Sequence, residues 1–352
     1  MEGVVIAITR TMHTKNSQYQ FLKEQALKVN SYKKAFSSQF DIIKADAMQT
    51  PISHENRHCK SFTSGCIYDA KGNKISLSER QGAYGGDHIS SINANTLLRP
   101  RFFSPKLKGN TFYLGVWMGH YGHFITETLS RLWMYKDIKH YDNLVAFPFI
   151  FNHRKPIEDY QAYFLHLLDI PSKKIQTLRK PLRFDNITIP EQGWTINHSV
   201  NKNIKPLYKH IRDKHKSVVQ PYDKIFLSRN DPAYQRIKNV SKIETLFKSQ
   251  GFIIFFPEQL TIQDQLSIYN GCKVMAGFSG SALHNCLFTQ EDTLIIELAD
   301  QRTHNKFHPM QKAAIELSGN DSQLISYKGD QEGNFDLVFL ADELETIIGN
   351  QS

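Results

Sequence analysis

From Lys224 to Leu298 the chain repeats one grammar: a short apolar run, an amphipathic stretch, a stop residue, and another apolar run. KIFLS (224–228) ends at Arg229. VSKIETLFKSQG then opens with Ser241 and Glu244 in the spacing of a capping box and stops at Gly251. FIIFF (252–256) is ended by Pro257, and TIQDQLSIYNG follows with Thr261 as cap, Asp264 three residues on, and Gly271 as stop. KVMAGF (273–278), SALHNCLF (281–288) and TLIIEL (293–298) read as strand, short helix and strand. Strands that are apolar at every position leave no face for water. They belong in a parallel sheet covered on both sides, a Rossmann-like unit.

The first 200 residues carry the same α/β pattern less regularly. GCIYDAKGNKISLSE (65–79) reads as a hairpin turning at Lys71-Gly72-Asn73, and NTFYLGVW (110–117) as a strand. ITETLSRLWMYKDI reads as a helix, NLVAFPFIF (143–151) as a buried strand, EDYQAYFLHLLDI (158–170) as a helix and RFDNITIPE (183–191) as a strand. A basic helix, IKPLYKHIRDKHK (204–216), precedes SVVQPY (217–222), where the periodicity is lost. The division expected is an N-terminal α/β domain over 1–216, a linker over 217–222, and a Rossmann-like domain over 223–325. An acidic segment, 326–352, is placed as packing back on the first domain. Two such domains would face a central cleft, since open α/β sheets bind ligands at the carboxyl ends of their strands.

The formal charge of +9 is unevenly spread. After Lys328 the chain has six acids and no Lys or Arg, so the preceding body is more basic than the total suggests. A basic body favours anionic partners, but no basic run is interleaved with a nucleic-acid-binding motif, and nucleic acid is excluded as the expected partner. Cys59, Cys66, Cys272 and Cys286 form no CxxC, which suits a reduced, cytoplasmic protein. The apolar GVVIAI near the start is too short for a signal segment, and no run reaches the length of a bilayer span. At most, the basic helix would touch the inner face of a membrane.

Two places carry chemistry. GFSGSALHN (277–285) joins a strand to a helix through Gly277, Ser279, Gly280 and Ser281. Glycines there admit unusual dihedrals, and the helix mouth presents N–H groups to an anion such as a diphosphate. It is neither GxGxxG nor a Walker loop. Arg229 ends the first strand and Arg236 follows it, both fork-shaped donors for phosphate; Glu258 and Glu297 end later strands, where a carboxylate can accept from ribose hydroxyls. The second place is GHYGHFITETLSRLW (119–133), where His123, Glu127 and Arg131 fall four apart on one helix face, with His120 in the loop before. These could be a metal set, a general-base set, or a polar helix end. H-x-x-H-x-x-x-E lacks a fourth ligand and is not HExxH.

The ordered blocks GHFITETLSRLW, IFLSRNDPAYQRIKN and GFIIFFPEQLTIQDQLSIYNGCKVMAGFSGSALHNCLFTQEDTLIIEL resemble the family 61 glycosyltransferases over roughly residues 110–300. That family includes plant xylan arabinosyl- and xylosyltransferases and animal O-linked N-acetylglucosamine transferases, and its bacterial members are associated with capsule and other surface polysaccharides. The resemblance implies GT-B architecture, inversion at the transferred carbon, a nucleotide-sugar donor and no obligatory metal or other cofactor. The family's final block usually reads G-x-H-G-A-x-L-x-N. Ser279 stands at its histidine, Ser281 at its small residue, and Leu283 and Asn285 match. Arg229, Arg236 and Gln265 match its arginines and glutamine, His123 its histidine, and Glu127 stands where Asp is commoner.

The expected enzyme is thus a hexosyl- or pentosyltransferase acting on a glycan or lipid-linked acceptor, in capsule or other surface-polysaccharide synthesis. Glu127 and His123 are the expected catalytic pair, with Glu127 ahead as base and Arg131 as its ion-pair partner; His120 and Arg131 are expected substrate contacts. Arg229, Arg236, Glu258, Gln265, Ser279, Gly280, Ser281, Asn285 and Glu297 are expected to hold the nucleotide sugar. Two alternatives stand beside it: another GT-B-like enzyme acting on a sugar phosphate, and a non-catalytic sugar- or nucleotide-binding protein. Donor, acceptor and oligomeric state are not legible.

Overall fold

The computed structural model describes residues 27–28, 35–44, 61–68, 74–83, 89–91, 105–148, 157–178, 182–196, 199–230, 236–301 and 305–349. Two sheets organise them. The first has eight strands: β1 (Leu27–Lys28), β2 (Ala35–Lys44), β3 (Ser61–Tyr68), β4 (Lys74–Ile75), β7 (Lys106–Trp117), β8 (Asn143–Pro148), β9 (Ile175–Thr177) and β10 (Leu182–Ile189). β5 (Gln81–Ala83) and β6 (Ile89–Ser91) form a separate ladder, as do β11 (Trp194–Thr195) and β12 (Ser199–Val200). The eight-stranded order is β4-β3-β2-β10-β7-β8-β9, with β1 paired to β10. β10, β7, β8 and β9 run parallel, whereas β1, β2, β3 and β4 add antiparallel pairs. The expected hairpin appears as Ile67 opposite Ile75; its turn lies outside the described residues.

The central strand β7 is exposed at its start and wholly buried from Thr111 onward. Its register with β8 shifts between Tyr113 and Val116, where Gly115 takes φ +88°. A side chain at that bulge would overlap the Arg131 Cδ, so glycine there admits the arginine against the strand.

The second sheet is the one foreseen, with a fifth strand added. β13 (Lys224–Leu227), β14 (Ile253–Phe255), β15 (Val274–Phe278), β16 (Leu294–Leu298) and β17 (Asp321–Ile325) are all parallel, in the order β14-β13-β15-β16-β17. Six helices are used below: α1 (Asp159–Leu167), α2 (Lys205–Lys214), α3 (Val240–Ser249), α4 (Ile262–Gly271), α5 (Pro309–Ser318) and α6 (Leu337–Gly349). Thr261 caps α4 by accepting from the Asp264 N–H at 3.2 Å. The expected Ser241–Glu244 capping box does not form: the cap position of α3 is Asn239, two residues earlier, and Glu244 instead accepts from the Ser228 hydroxyl at 2.5 Å.

The central strands β13, β15 and β16 of the second sheet are buried on both faces, as their composition requires, whereas β14 and β17 at its edges are partly exposed. Ile225, Leu227, Met275 and Ile295 face one core, and Phe226, Val274, Ala276 and Ile296 the other. The first of these cores is continuous with that of the eight-stranded sheet, through Phe164 stacked on Phe288 at 5.3 Å and Tyr208 against the same ring at 5.9 Å. The two sheets therefore share packed apolar surface.

Two charged segments are bedded in these cores. The basic helix α2 is bedded in that shared core by Leu207, Tyr208 and Ile211. Its Arg212 is buried and donates to the Thr289 carbonyl at 2.9 Å, while Lys205, Lys209 and Lys214 lie beside Glu291, Asp213 and Asp169. Its cations are largely matched within the fold. The acidic C-terminal helix α6 does not pack on the first sheet; Leu340 and Leu344 bury in the second sheet's outer core, on α3 and β17, because its apolar stripe completes that face.

Candidate active site

The segment 121–138 continues from the end of β7 but is not one regular α-helix. Tyr121–His123 is an α turn, Phe124–Thr128 a π turn closed by the Leu129 N–H on the Phe124 carbonyl, and Arg131–Met134 a 3-10 turn. A π turn widens the helix and shifts the rotation of everything after it, and such turns concentrate at functional sites. Side chains satisfy the loosened backbone: the Tyr208 hydroxyl donates to the Ile125 carbonyl at 2.8 Å and the Ser130 hydroxyl to the Glu127 carbonyl at 2.9 Å. Thr128 ties the turn to the strand end, donating to the Val116 carbonyl and accepting from the Met118 N–H.

This geometry keeps His123 and Glu127 together and sends Arg131 elsewhere. His123 Nδ1 and Glu127 Oε1 are 2.5 Å apart. The expected Arg131–Glu127 pair is not made. Arg131 is buried, and its guanidinium donates to the carbonyls of Leu77, Pro190 and Glu79 at 2.8–2.9 Å and to Gln192 Oε1 at 3.3 Å. It ties three chain segments together, and most of its donors are taken by backbone carbonyls. The ion-pair partner of Glu127 is Arg80, which donates through Nε to Oε2 at 2.5 Å and through Nη2 to Oε1 at 2.9 Å. No spacing could have revealed it, because the partners are 47 residues apart.

Glu127 is 3% exposed and Arg80 4%. Burial alone would raise the Glu127 pKa, but the Arg80 guanidinium and the His123 hydrogen bond together hold it down, to about 2. His123 keeps 30% of its side chain open and lies edge to face with His120 at 5.2 Å. Loss of surrounding water, then the neighbouring His123, lowers His120 to about 4. Among the described residues no group of three His, Cys, Asp or Glu side chains is arranged to hold a metal ion. A small recess beside Glu127 is lined by Arg80, Val116, Met118, Glu127, Arg131 and Gln192.

On the other side, Arg229 leaves the end of β13 and donates through Nη2 to the Ser279 carbonyl at 3.2 Å. Gly280 takes φ +147°, and a side chain there would overlap the Arg229 guanidinium. The glycine–serine bend and the arginine thus form one unit. They border a small recess lined by Arg229, Arg236, Ile237, Val240, Phe278, Ser279 and Asp300. Arg236 lies 3.4 Å from Asp300. Desolvation, followed by Arg236, lowers the Arg229 pKa, and two crowded guanidiniums favour an anion beside them.

The remaining expected donor contacts divide. Gln265 donates to the Pro257 and Leu260 carbonyls and accepts from the Tyr269 hydroxyl, so its amide braces the loop after β14. Exposed Glu258 accepts from the Asn230 N–H at 2.6 Å and steadies the Arg229 loop. Glu297 is fully buried within β16. Its burial raises its pKa to about 7, with Asp300 adding to the rise and the Ser279 hydroxyl opposing it. The helix after the bend is a 3-10 helix, Leu283–Phe288.

The recesses beside Glu127 and beside Arg229 share no lining residue. A tight seam joins the two sides instead. The Tyr121 hydroxyl donates to Asn285 Oδ1 at 2.5 Å, and a side chain on Gly122 would begin 2.7 Å from Ser281 Cβ. Asn285 also donates to the Ala282 carbonyl, so its amide serves the seam and the bend. Buried His284 accompanies it, bonded to Gln311 at 2.8 Å. Burial first, then His308, His123 and His120, pull its pKa down to about 4. His284 lay inside the block read from the sequence, but nothing in its spacing set it apart.

A family model described as Glycosyltransferase 61 matches residues 121–296, half of the 352-residue chain. No curated protein matches it. The matched stretch runs from the α turn of the His123 segment to β16; Arg80, Asp300 and His308 lie outside it.

Proposed function

The chain belongs to the family 61 glycosyltransferases, and from that premise we propose that it transfers a sugar from a nucleotide-sugar donor, with inversion at the anomeric carbon, to a hydroxyl of a glycan or lipid-linked acceptor. The observation that carries the reading is the seam: it sets Tyr121 and Gly122, the two residues before His123, against Asn285 and Ser281 of the bend that Gly280 and Arg229 build. The two sheets are read as a GT-B-like pair, with the donor diphosphate beside Arg229 and Arg236. No metal is invoked. Surface-polysaccharide synthesis in the cytoplasm is the context this reading favours.

The proton acceptor is assigned to His123 rather than to Glu127. A carboxylate that is buried, held by both prongs of a guanidinium and held down to about 2 has little basicity and little access. With Nδ1–H donated to Glu127, a tautomer assigned from the hydrogen bond, His123 has Nε2 left to take the acceptor's proton. As the acceptor oxygen bonds to the anomeric carbon, the bond to the diphosphate breaks on the opposite face. Its charge is met by Arg229 and Arg236. Acceptor-dependent nucleotide release, measured across a panel of nucleotide sugars and glycan or lipid-linked acceptors, tests the reading. Donor binding without release for any acceptor would favour the binding-protein alternative and reject this one.

A further inference from the structure

We propose that Arg80 is a positioning residue of the reaction, contributed from outside the family-matched segment, which holds His123 ready as a proton acceptor by fixing the Glu127 carboxylate with both prongs of its guanidinium as well as sharing its charge. The inference rests on the transferase reading for its chemistry, but its geometry stands apart from it. The guanidinium grips both carboxylate oxygens, at 2.5 and 2.9 Å, in a buried site where such charge-assisted bonds are strong. Its own backbone is pinned on either side. Before it, the Ser78 hydroxyl accepts from the Ile67 N–H at 2.8 Å and the Ser78 carbonyl accepts from Tyr113 at 2.6 Å. After it, the Gln81 N–H and carbonyl are both engaged by the Gln192 amide.

Two consequences follow from that grip. The carboxylate plane is fixed, which fixes the ring bonded to it at Oε1. Part of the carboxylate charge is also spent on Arg80, so an imidazolium at His123 gains less from Glu127 than it would from an unshared carboxylate. The other titratable or charged groups around the pair are His120 in the preceding loop, His284 across the seam and Arg131 from the same segment. None of these grips the carboxylate as Arg80 does.

The test uses the full chain and two variants, Arg80→Gln and Arg80→Lys, with folding checked by near-UV circular dichroism. The first readout needs no turnover: carbethoxylation of His123 by diethyl pyrocarbonate, followed by peptide mass spectrometry across pH, with His123→Gln as the assignment control. In Arg80→Gln the pH profile of carbethoxylation is displaced upward from wild type, while Arg80→Lys, which keeps the charge but not the fork, stays near it. The second readout is kinetic: kcat falls by about 100-fold in Arg80→Gln, with donor KM nearly unchanged and the acid limb of kcat/KM moved to higher pH. Coincident inflections in wild type and Arg80→Gln overturn the proposal, as does an Arg80→Lys enzyme with full kcat. If Arg80→Gln does not fold, Arg80→Lys decides through kcat: a fall at constant KM supports the role. A wild-type enzyme without acceptor-dependent turnover would instead sink the transferase reading, and the carbethoxylation shift would still report on Arg80.

Discussion

Arg229 occupies space that exists only because residue 280 is glycine: any side chain there would overlap its guanidinium. The end of one strand and the bend after another thus form a single unit, built by two residues 51 positions apart in sequence but pressed together by adjacent parallel strands β13 and β15.

Gly280→Ala is therefore expected to weaken donor binding by about tenfold or more while leaving a folded protein. The φ of +147° adds a backbone cost of roughly 1–3 kcal/mol, and the displaced guanidinium loses its aim at the phosphate. Titration calorimetry with the donor identified by screening measures it; unchanged affinity would remove the diphosphate from this unit.

His123→Gln and Glu127→Gln should both lower kcat, the first by about 10² to 10⁴, with donor KM little changed. The two variants differ under acid. Glu127 is held down to about 2 from an ordinary 4.5, so its ionised form contributes stability that is fully present above about 4.5 and is lost as pH falls toward 2. Glu127→Gln should flatten that part of the acid-unfolding curve, read by circular dichroism; a curve parallel to wild type would contradict the strength assigned to its partners.

Glu297 predicts the opposite sign. Its folded pKa is raised to about 7, so it stays protonated when folded at pH values where the unfolded chain has already ionised. Stability should decline as pH rises from about 4.5 to about 7 and then level off. Glu297→Gln should remove that decline, so the melting temperature of the variant gains on wild type at pH 8 relative to pH 5. Equal gains at both pH values would show that the carboxyl is not neutral in the fold.

Arg131→Leu is a stability variant in this structure rather than a kinetic one. It would strand the carbonyls of Leu77, Glu79 and Pro190 in a buried site, a loss on the order of 3 kcal/mol or more. A urea melt measures it. A variant of wild-type stability with a raised acceptor KM would restore Arg131 to the substrate.

How much could be read in advance varied with burial. The strands β13, β15 and β16 were legible because both of their faces are covered, which writes an unbroken apolar run. The fifth strand, DSQLI, was not, because at the sheet edge it alternates exposed and half-buried residues and reads as polar chain. At the site, the four-residue spacing found His123 and Glu127, whose contact is local. The same spacing misplaced Arg131, since a π turn after Phe124 does not keep α-helical rotation and no residue pattern announces one.

The amino-acid order alone determined the parallel sheet, the glycine bend and the histidine–glutamate pair, because each rests on neighbours within a few residues or on an apolar run that must be covered. Which cation neutralises Glu127, which nitrogen of His123 stays open, and that the two chemical sides meet through Tyr121 and Asn285 were decided only when distant segments packed. A charge buried by folding takes the partner that the packing delivers, and that partner need not be near it in the chain.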